Sequence, residues 1–157
     1  MRQFFTLVFL TCAGTMAAQA QDAATEAEEP GAEAEKSNFI ELFVGITHDD
    51  SENELSVGLT YERRFDRFGT GFIAEFTKAG RRETILALPF FWHPVEPWRT
   101  VVAIGTEISD GDNAFLTRVG GSYEFEFSGW SLSPEVNVDF VDHGTVLVFG
   151  ASFVWKF

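Results

Sequence analysis

The sequence is poor in cysteine, histidine and basic residues, and it has no long hydrophobic run. One cysteine, Cys12, and three histidines are spread over 157 residues, which excludes a disulfide framework and any Cys-x-x-Cys pair. No apolar run reaches the roughly 20 residues that a membrane-spanning helix needs, and no 3.6-residue apolar period persists. Lys and Arg number 11 against 24 Asp and Glu, a net charge of −13. Such a chain is unsuited to binding nucleic acid.

What the sequence does contain is alternation, most clearly in its last thirteen residues, TVLVFGASFVWKF. Every second position from Leu147 to Phe157 is apolar and mostly aromatic, with smaller or mixed residues between them. Because successive side chains of a strand point to opposite faces, this strand has one wholly apolar face. Such a face suits a membrane barrel, in which lipid takes the place of a protein core outside the wall.

The first twenty residues are typical of a secretory signal peptide. Arg2 is followed by the apolar run 4–10, and Ala18-Gln19-Ala20 supplies the small-x-small pattern of a signal-peptidase site. We expect cleavage before Gln21. Cys12 could instead mark a lipoprotein, but the residues before it fit a lipobox poorly, so we place it in the discarded signal. The mature chain then contains no cysteine.

Residues 21–38 (QDAATEAEEPGAEAEKSN) change the character of the chain. The segment holds six acids, one lysine and no aromatic residue, too little apolar surface to offset the entropy of ordering. We predict a disordered acidic leader here, in the periplasm, and a single folded domain over residues 39–157.

That domain is predicted to be all-β, an eight-stranded antiparallel up-and-down transmembrane barrel. Runs with a two-residue period are separated by turn-forming segments such as DRFG, DGDN and DHG. An even number of strands places both termini on one side of the membrane. The predicted strands are 39–47, 54–65, 70–77, 83–93, 99–109, 114–127, 131–141 and 145–157. A soluble sandwich with the apolar face buried is the main rival.

The strand count and the VFGASFVWKF ending resemble the small eight-stranded outer-membrane barrels of the OmpA membrane-domain and OmpX type. The resemblance covers residues 39–157. It implies the outer membrane of a Gram-negative bacterium, contact with outer-membrane lipid and lipopolysaccharide, and recognition of the C-terminal strand by the barrel-assembly machinery. It carries over no catalytic residue and implies no cofactor. The outward loops are short, which argues against an adhesin.

Alternation also predicts an interior charge network. The inward positions include six charged residues that we expect to interact, with Arg118 flanked by Glu107 and Asp139. An eight-stranded barrel is just wide enough for side chains to fill it, so a structural plug is the first interpretation. Because acids exceed bases among the inward residues, a narrow cation-preferring path is the second. The network is Glu75, Glu107, Arg118, Glu124, Glu135 and Asp139.

Three further groups of residues are candidates for membrane or ligand contact. All four tryptophans and the terminal phenylalanine are predicted to form a periplasmic aromatic girdle: Trp92, Trp98, Trp130, Trp155 and Phe157. A basic group in an outward loop is a candidate lipopolysaccharide contact: Lys78, Arg81 and Arg82. A weak candidate metal site joins two outward loops: His48, Asp49, Asp142 and His143.

The sequence therefore predicts a membrane barrel more firmly than it predicts a role. We expect a structural or envelope-interaction function, with limited small-solute or cation passage, and no catalysis. The alternative is a lipid A- or phospholipid-modifying enzyme, a deacylase or acyltransferase, for which His48 or His143 would be the base. No serine is placed by sequence beside a histidine and an acid. The oligomeric state is left open.

Overall fold

The computed structural model describes residues 37–49, 52–78, 82–109, 112–142 and 144–157. The predicted signal peptide and the leader up to residue 36 lie outside these ranges. The described residues form nine strands: β1 (Ser37–Asp49), β2 (Glu52–Phe65), β3 (Phe68–Lys78), β4 (Arg82–Val95), β5 (Trp98–Ser109), β6 (Asp112–Tyr123), β7 (Phe125–Phe127), β8 (Trp130–Val141) and β9 (Gly144–Lys156).

The strands close into an eight-stranded antiparallel barrel. β6 and β7 are two parts of one barrel strand, interrupted at Glu124, and both pair with β8. Following the paired residues once around the wall leads from Asn38 to His48, ten residues further along β1. The path is Asn38, Arg63, Thr70, Phe90, Val102, Val119, Val138, Leu147 and His48. This stagger requires tilted strands and fixes a narrow barrel.

The predicted fold class is confirmed, and the strand boundaries agree to within a few residues. The predicted sixth strand is broken at Glu124, whose backbone N–H donates to the carbonyl oxygen of Pro97 across the neighbouring turn. β1 begins at Ser37, so Ser37 and Asn38 belong to the barrel and not to the leader. The part of the chain described here contains no helix long and apolar enough to cross a membrane.

Burial in this barrel is inverted relative to a soluble protein. Among the described residues, fifteen polar or charged side chains are buried against thirteen hydrophobic ones. Large hydrophobic side chains cover the outer face of the barrel wall, for example Leu59 at 51% exposure and Val102 at 49%. The exposed charged residues of the described ranges all lie within three residues of a turn or a chain end. A sandwich that buries its apolar face, the rival expectation, is wrong for this chain.

The two ends of the barrel differ. One end, called here the tight-turn end, carries the two-residue turns Asp66–Arg67, Glu96–Pro97 and Ser128–Gly129, together with Ser37 and Phe157. Two of these turns need left-handed backbone, at Asp66 (φ 55°) and Gly129 (φ 88°), and aspartate and glycine tolerate that conformation well. The opposite end carries the other four connections.

Two glycines face each other where β1 closes against β9. Gly45 pairs with Gly150, and the ring of Phe43 lies over both. A Cβ on Gly150 would lie 2.6 Å from Phe43 Cε2 and would also press on the backbone oxygen of Val44. The closing seam therefore needs glycine so that the aromatic ring can lie flat on the sheet.

Gly150→Ala is expected to destabilise the barrel by about 1–3 kcal/mol, because the added methyl overpacks the seam. Gly144→Ala is the control, since nothing lies within 4 Å of a Cβ at that position. The measurement is the urea midpoint of the refolded chain in micelles. Alanine is otherwise favoured over glycine in a strand, so equal or higher stability of Gly150→Ala would contradict the seam.

Candidate functional site

The middle of the barrel is crossed by an arginine cluster. Arg118 on β6 is 3% exposed. Its Nε and Nη2 donate two parallel hydrogen bonds of 2.6 Å to the carboxylate of Asp139, the residue paired with it on β8. Its Nη1 donates to Glu75 Oε2, also at 2.6 Å. Glu75 belongs to β3 on another part of the wall. Such charge-assisted forks are strong and directional, so this cluster ties separate strands together across the lumen.

The expected partner Glu107 does not flank Arg118. The register of β5 and β6 places Ala103 opposite Arg118, and Glu107 opposite Ala114. Glu107 is buried, at 5% exposure, but it lies four residues along the strand from the predicted position. The third member of the cluster is Glu75. The expectation was wrong because alternation fixes the face of a residue and leaves its register open.

A second arginine cluster lies nearer the tight-turn end and was not predicted from the sequence. Arg99 on β5 is 8% exposed and donates through Nη1 and Nη2 to both oxygens of Glu41. Its Nε donates to Ser122 Oγ at 3.1 Å, and Glu62 and Glu135 each lie 3.5 Å away. One signal was available in the sequence. Arg99 and Glu107 are an even number of positions apart on the same strand, so their side chains point to the same face.

The rim of the lumen at the tight-turn end adds a histidine. His93 Nε2 lies 2.8 Å from Glu62 Oε1, and Arg64 Nε donates to the same oxygen at 3.3 Å. Arg64 also approaches Glu124, at 4.0 Å, and its guanidinium stacks on the ring of Phe39. The predicted network residues Glu124 and Glu135 therefore belong to the Arg99 half of the lumen.

The opposite half of the lumen is filled mostly by hydrophobic side chains. Leu116 and Val148 are completely buried and pack with others in one cluster that also includes Ile85, Val141 and Val146. A hydroxyl ladder runs beside them, from Thr47 through Ser56 to Thr77. The arginine clusters thus lie towards the tight-turn end, whereas the opposite half combines hydrophobic packing with the hydroxyl ladder and the buried Glu107.

The predicted aromatic girdle residues are all exposed and lie at the tight-turn end. Their exposures run from 37% for Trp130 to 64% for Phe157. Neighbouring rings contact one another along the outer surface, as in the stacked pair of Phe127 and Trp130 at 4.6 Å and the edge-on pair of Trp98 and Tyr123 at 5.0 Å. A band of tryptophan and tyrosine is typical of a membrane–water interface.

The other candidate residues are only partly described. Lys78 and Arg82 form the last pair of the β3–β4 ladder, and Arg81 lies outside the described residues. In the weak metal candidate, His48 is exposed and its Nδ1 lies 2.9 Å from Asn53 Oδ1, Asp142 is exposed, and His143 is outside the described ranges. Within those ranges no group of three His, Cys, Asp or Glu could hold a metal ion.

Nor do the described histidines form a nucleophile–base pair. His93 contacts the carboxylate of Glu62, and His48 contacts the amide of Asn53. The hydroxyl of Ser122 is hydrogen-bonded to Arg99, and that of Ser152 to Glu135. Acyl transfer needs a hydroxyl or thiol held by its base. The geometry on this part of the chain therefore gives the enzyme alternative no support.

Comparison with known proteins bears on the fold alone. No family model matches the sequence, and no curated protein matches it. Solved structures do match. The N-terminal β-barrel domain of Pseudomonas aeruginosa OprF has a TM-score of 0.59 at 12% identity, covering 78% of this chain and 98% of that one. The chain has the fold of the small outer-membrane barrels.

Two further structures of this kind agree. The Yersinia pestis outer membrane protein Ail, in a phospholipid bilayer nanodisc, has a TM-score of 0.58 at 10% identity, over 78% of this chain and all of Ail. Neisserial surface protein A has a TM-score of 0.51 at 9% identity, over 77% and 96%. At such identities the likeness extends to the architecture and carries no role across.

Proposed function

We propose that this chain is an integral outer-membrane protein whose closed barrel serves a structural or envelope-interaction role. The observation that carries the proposal is the inverted wall, with charged residues inside and a hydrophobic surface outside. Water would make that surface an aggregation hazard, whereas lipid makes it the favourable face. The exposed tryptophans at one end mark where the wall meets an interface. The fold shared with outer-membrane barrels supports the same location.

The proposal includes an orientation and partners. The tight-turn end, where β1 begins and β9 ends, faces the periplasm. The acidic leader extends into the same compartment. The opposite end faces outwards, where the Lys78–Arg82 pair would meet lipopolysaccharide phosphates. The C-terminal strand β9 with its final Phe157 is the segment that the barrel-assembly machinery would recognise.

Single-cysteine labelling tests this orientation cleanly, because Cys12 is the only cysteine of the sequence. Asp142→Cys lies at the opposite end and Ser128→Cys at the tight-turn end, and both positions are exposed. A membrane-impermeant maleimide should label Asp142→Cys in intact cells and Ser128→Cys only after the outer membrane is permeabilised. The parent chain controls for background. Labelling of Ser128→Cys in intact cells, or of neither variant after permeabilisation, would contradict the proposal.

The two arginine clusters and the hydrophobic residues of the opposite half support a closed lumen. We expect the mature chain to show no conductance steps in planar bilayers under KCl gradients, once folding is verified by heat-modified gel mobility. The competing role, cation passage, is favoured by the excess of interior acids. A small cation-selective current that falls in Glu75→Gln would establish that role and overturn the closed barrel.

A further inference from the structure

Two buried oxygen atoms in the lumen have no hydrogen-bond partner. Among the described residues, Glu75 Oε1 and Asn137 Oδ1 are the buried side-chain atoms left unpaired, in residues that are 2% and 4% exposed. Both are acceptors. Leaving a buried acceptor unsatisfied is costly, and more so when it carries charge, so each of them needs a positive or donating group.

Both residues line the same interior cavity. It lies between the two arginine clusters and offers about 20 Å³ to the centres of water molecules, enough for one water-sized particle. Its charged lining consists of three carboxylates, Glu41, Glu75 and Glu135, and two guanidinium groups, Arg99 and Arg118. The lining therefore carries more negative than positive charge, and Asp139 and Glu62, which contact the same two arginines, add to the excess.

The two neighbouring arginines already donate their hydrogen bonds to other groups. Arg118 donates to Asp139 and to the other oxygen of Glu75, and Arg99 donates to Glu41 and Ser122. A neutral water would satisfy hydrogen bonds in the cavity and leave the charge uncompensated. A small hard cation accepts carboxylate and amide oxygens as ligands and supplies the missing charge.

We propose that this cavity binds one alkali-metal cation through Glu75 Oε1 and Asn137 Oδ1. The cavity has room for one small ion, and the excess of carboxylates around it favours a cation. The route that fits this ion starts at the tight-turn end, because charged groups continue from His93 and Arg64 inwards, whereas Leu116 and Val148 pack among hydrophobic residues of the opposite half. The site stabilises the barrel and requires no conduction through it.

The test compares urea unfolding of the mature chain in zwitterionic micelles in potassium, sodium or choline chloride at one ionic strength, followed by tryptophan fluorescence. An alkali cation at ten times its dissociation constant should raise the folding equilibrium constant about tenfold over choline. Glu75→Gln should abolish this difference, since it removes the negative charge of one of the two proposed ligands. Asn137→Ala removes one ligand and keeps every ion pair, so it should require several-fold more cation.

Glu126→Gln is the matched control, because it removes one carboxylate charge at an exposed position of the tight-turn end and should respond to cations as the parent does. Equal stability of the parent in choline and alkali salts would leave the cavity to a neutral water and overturn the proposal. A Glu75→Gln chain that exceeds the parent in stability by the same amount in choline, sodium and potassium chloride would point to a proton on Glu75 of the parent and overturn it too. So would an alkali effect that persists unchanged in both Glu75→Gln and Asn137→Ala.

Discussion

Replacing Arg118 with alanine is expected to destabilise the barrel by about 3–5 kcal/mol, because the change leaves two buried carboxylates without their countercharge. Asp139 loses both hydrogen bonds of the fork and Glu75 loses its own. Both acids are almost completely buried, and neutral water in the space left by the guanidinium would not compensate their charge. Urea midpoints and the temperature at which gel mobility changes report the loss.

Two comparisons separate charge from packing in this prediction. Arg63→Ala removes an exposed arginine that lies over the ring of Phe65 at 5.3 Å, and it should cost at most about 1 kcal/mol. Adding Glu75→Gln and Asp139→Asn to Arg118→Ala should recover part of the stability, because no charge is then stranded. If Arg118→Ala unfolds like Arg63→Ala, the cluster does not hold the barrel together.

The alternation of the sequence predicted the fold because it is a short-range property. Each strand shows a two-residue period on its own, and the turns between strands use Asp, Gly and Asn at the expected places. The faces of Glu75, Arg118 and Asp139 followed directly. Pairing partners across the lumen did not follow, since they depend on the stagger of the closed wall. The sequence therefore predicts Glu107 as a neighbour of Arg118, whereas the closed wall places Ala103 opposite Arg118 on β5 and brings Glu75 to it from β3.

The Arg99 cluster shows a second limit. Arg99 lies one residue after Trp98 at the start of β5, where its parity with Glu107 indicates an inward side chain but the nearby turn equally favours an exposed charge. The direction of the His93 side chain is equally ambiguous in the sequence, because His93 lies close to the other side of the Glu96–Pro97 turn. Both residues lie inside because the strands continue past the positions at which turn signals begin. The length of a barrel strand is set by its partners as well as by its own residues.

The hydrophobic outer wall and the side chains inside the barrel restrict where function can lie. If the lumen is closed as proposed, solutes meet only the tight-turn end, the short connections of the opposite end and the outer wall. The fold is used by proteins with different roles, so the role must be sought at these surfaces. The location of the wall in lipid is the first point to establish.

Leu59→Lys is expected to impair folding into lipid vesicles by about 2–4 kcal/mol, the cost of a lysine on a lipid-facing wall near the bilayer midplane. Leu59 lies in the middle of β2, paired with Leu42 on one side and Ala74 on the other. The folded fraction after dilution from urea, read from heat-modified gel mobility, measures the effect.

Phe65→Lys is the matched control, because Phe65 lies on the same strand and is exposed to the same degree, 53% against 51% for Leu59. It adjoins the turn at Asp66–Arg67, where a lysine can reach the interface and should cost only about 0–1 kcal/mol. In a barrel surrounded by water, two surface substitutions of equal exposure would each change stability by about 0.5 kcal/mol or less. A large difference between the two variants therefore requires a hydrocarbon layer around the middle of the wall, and equal tolerance would exclude one.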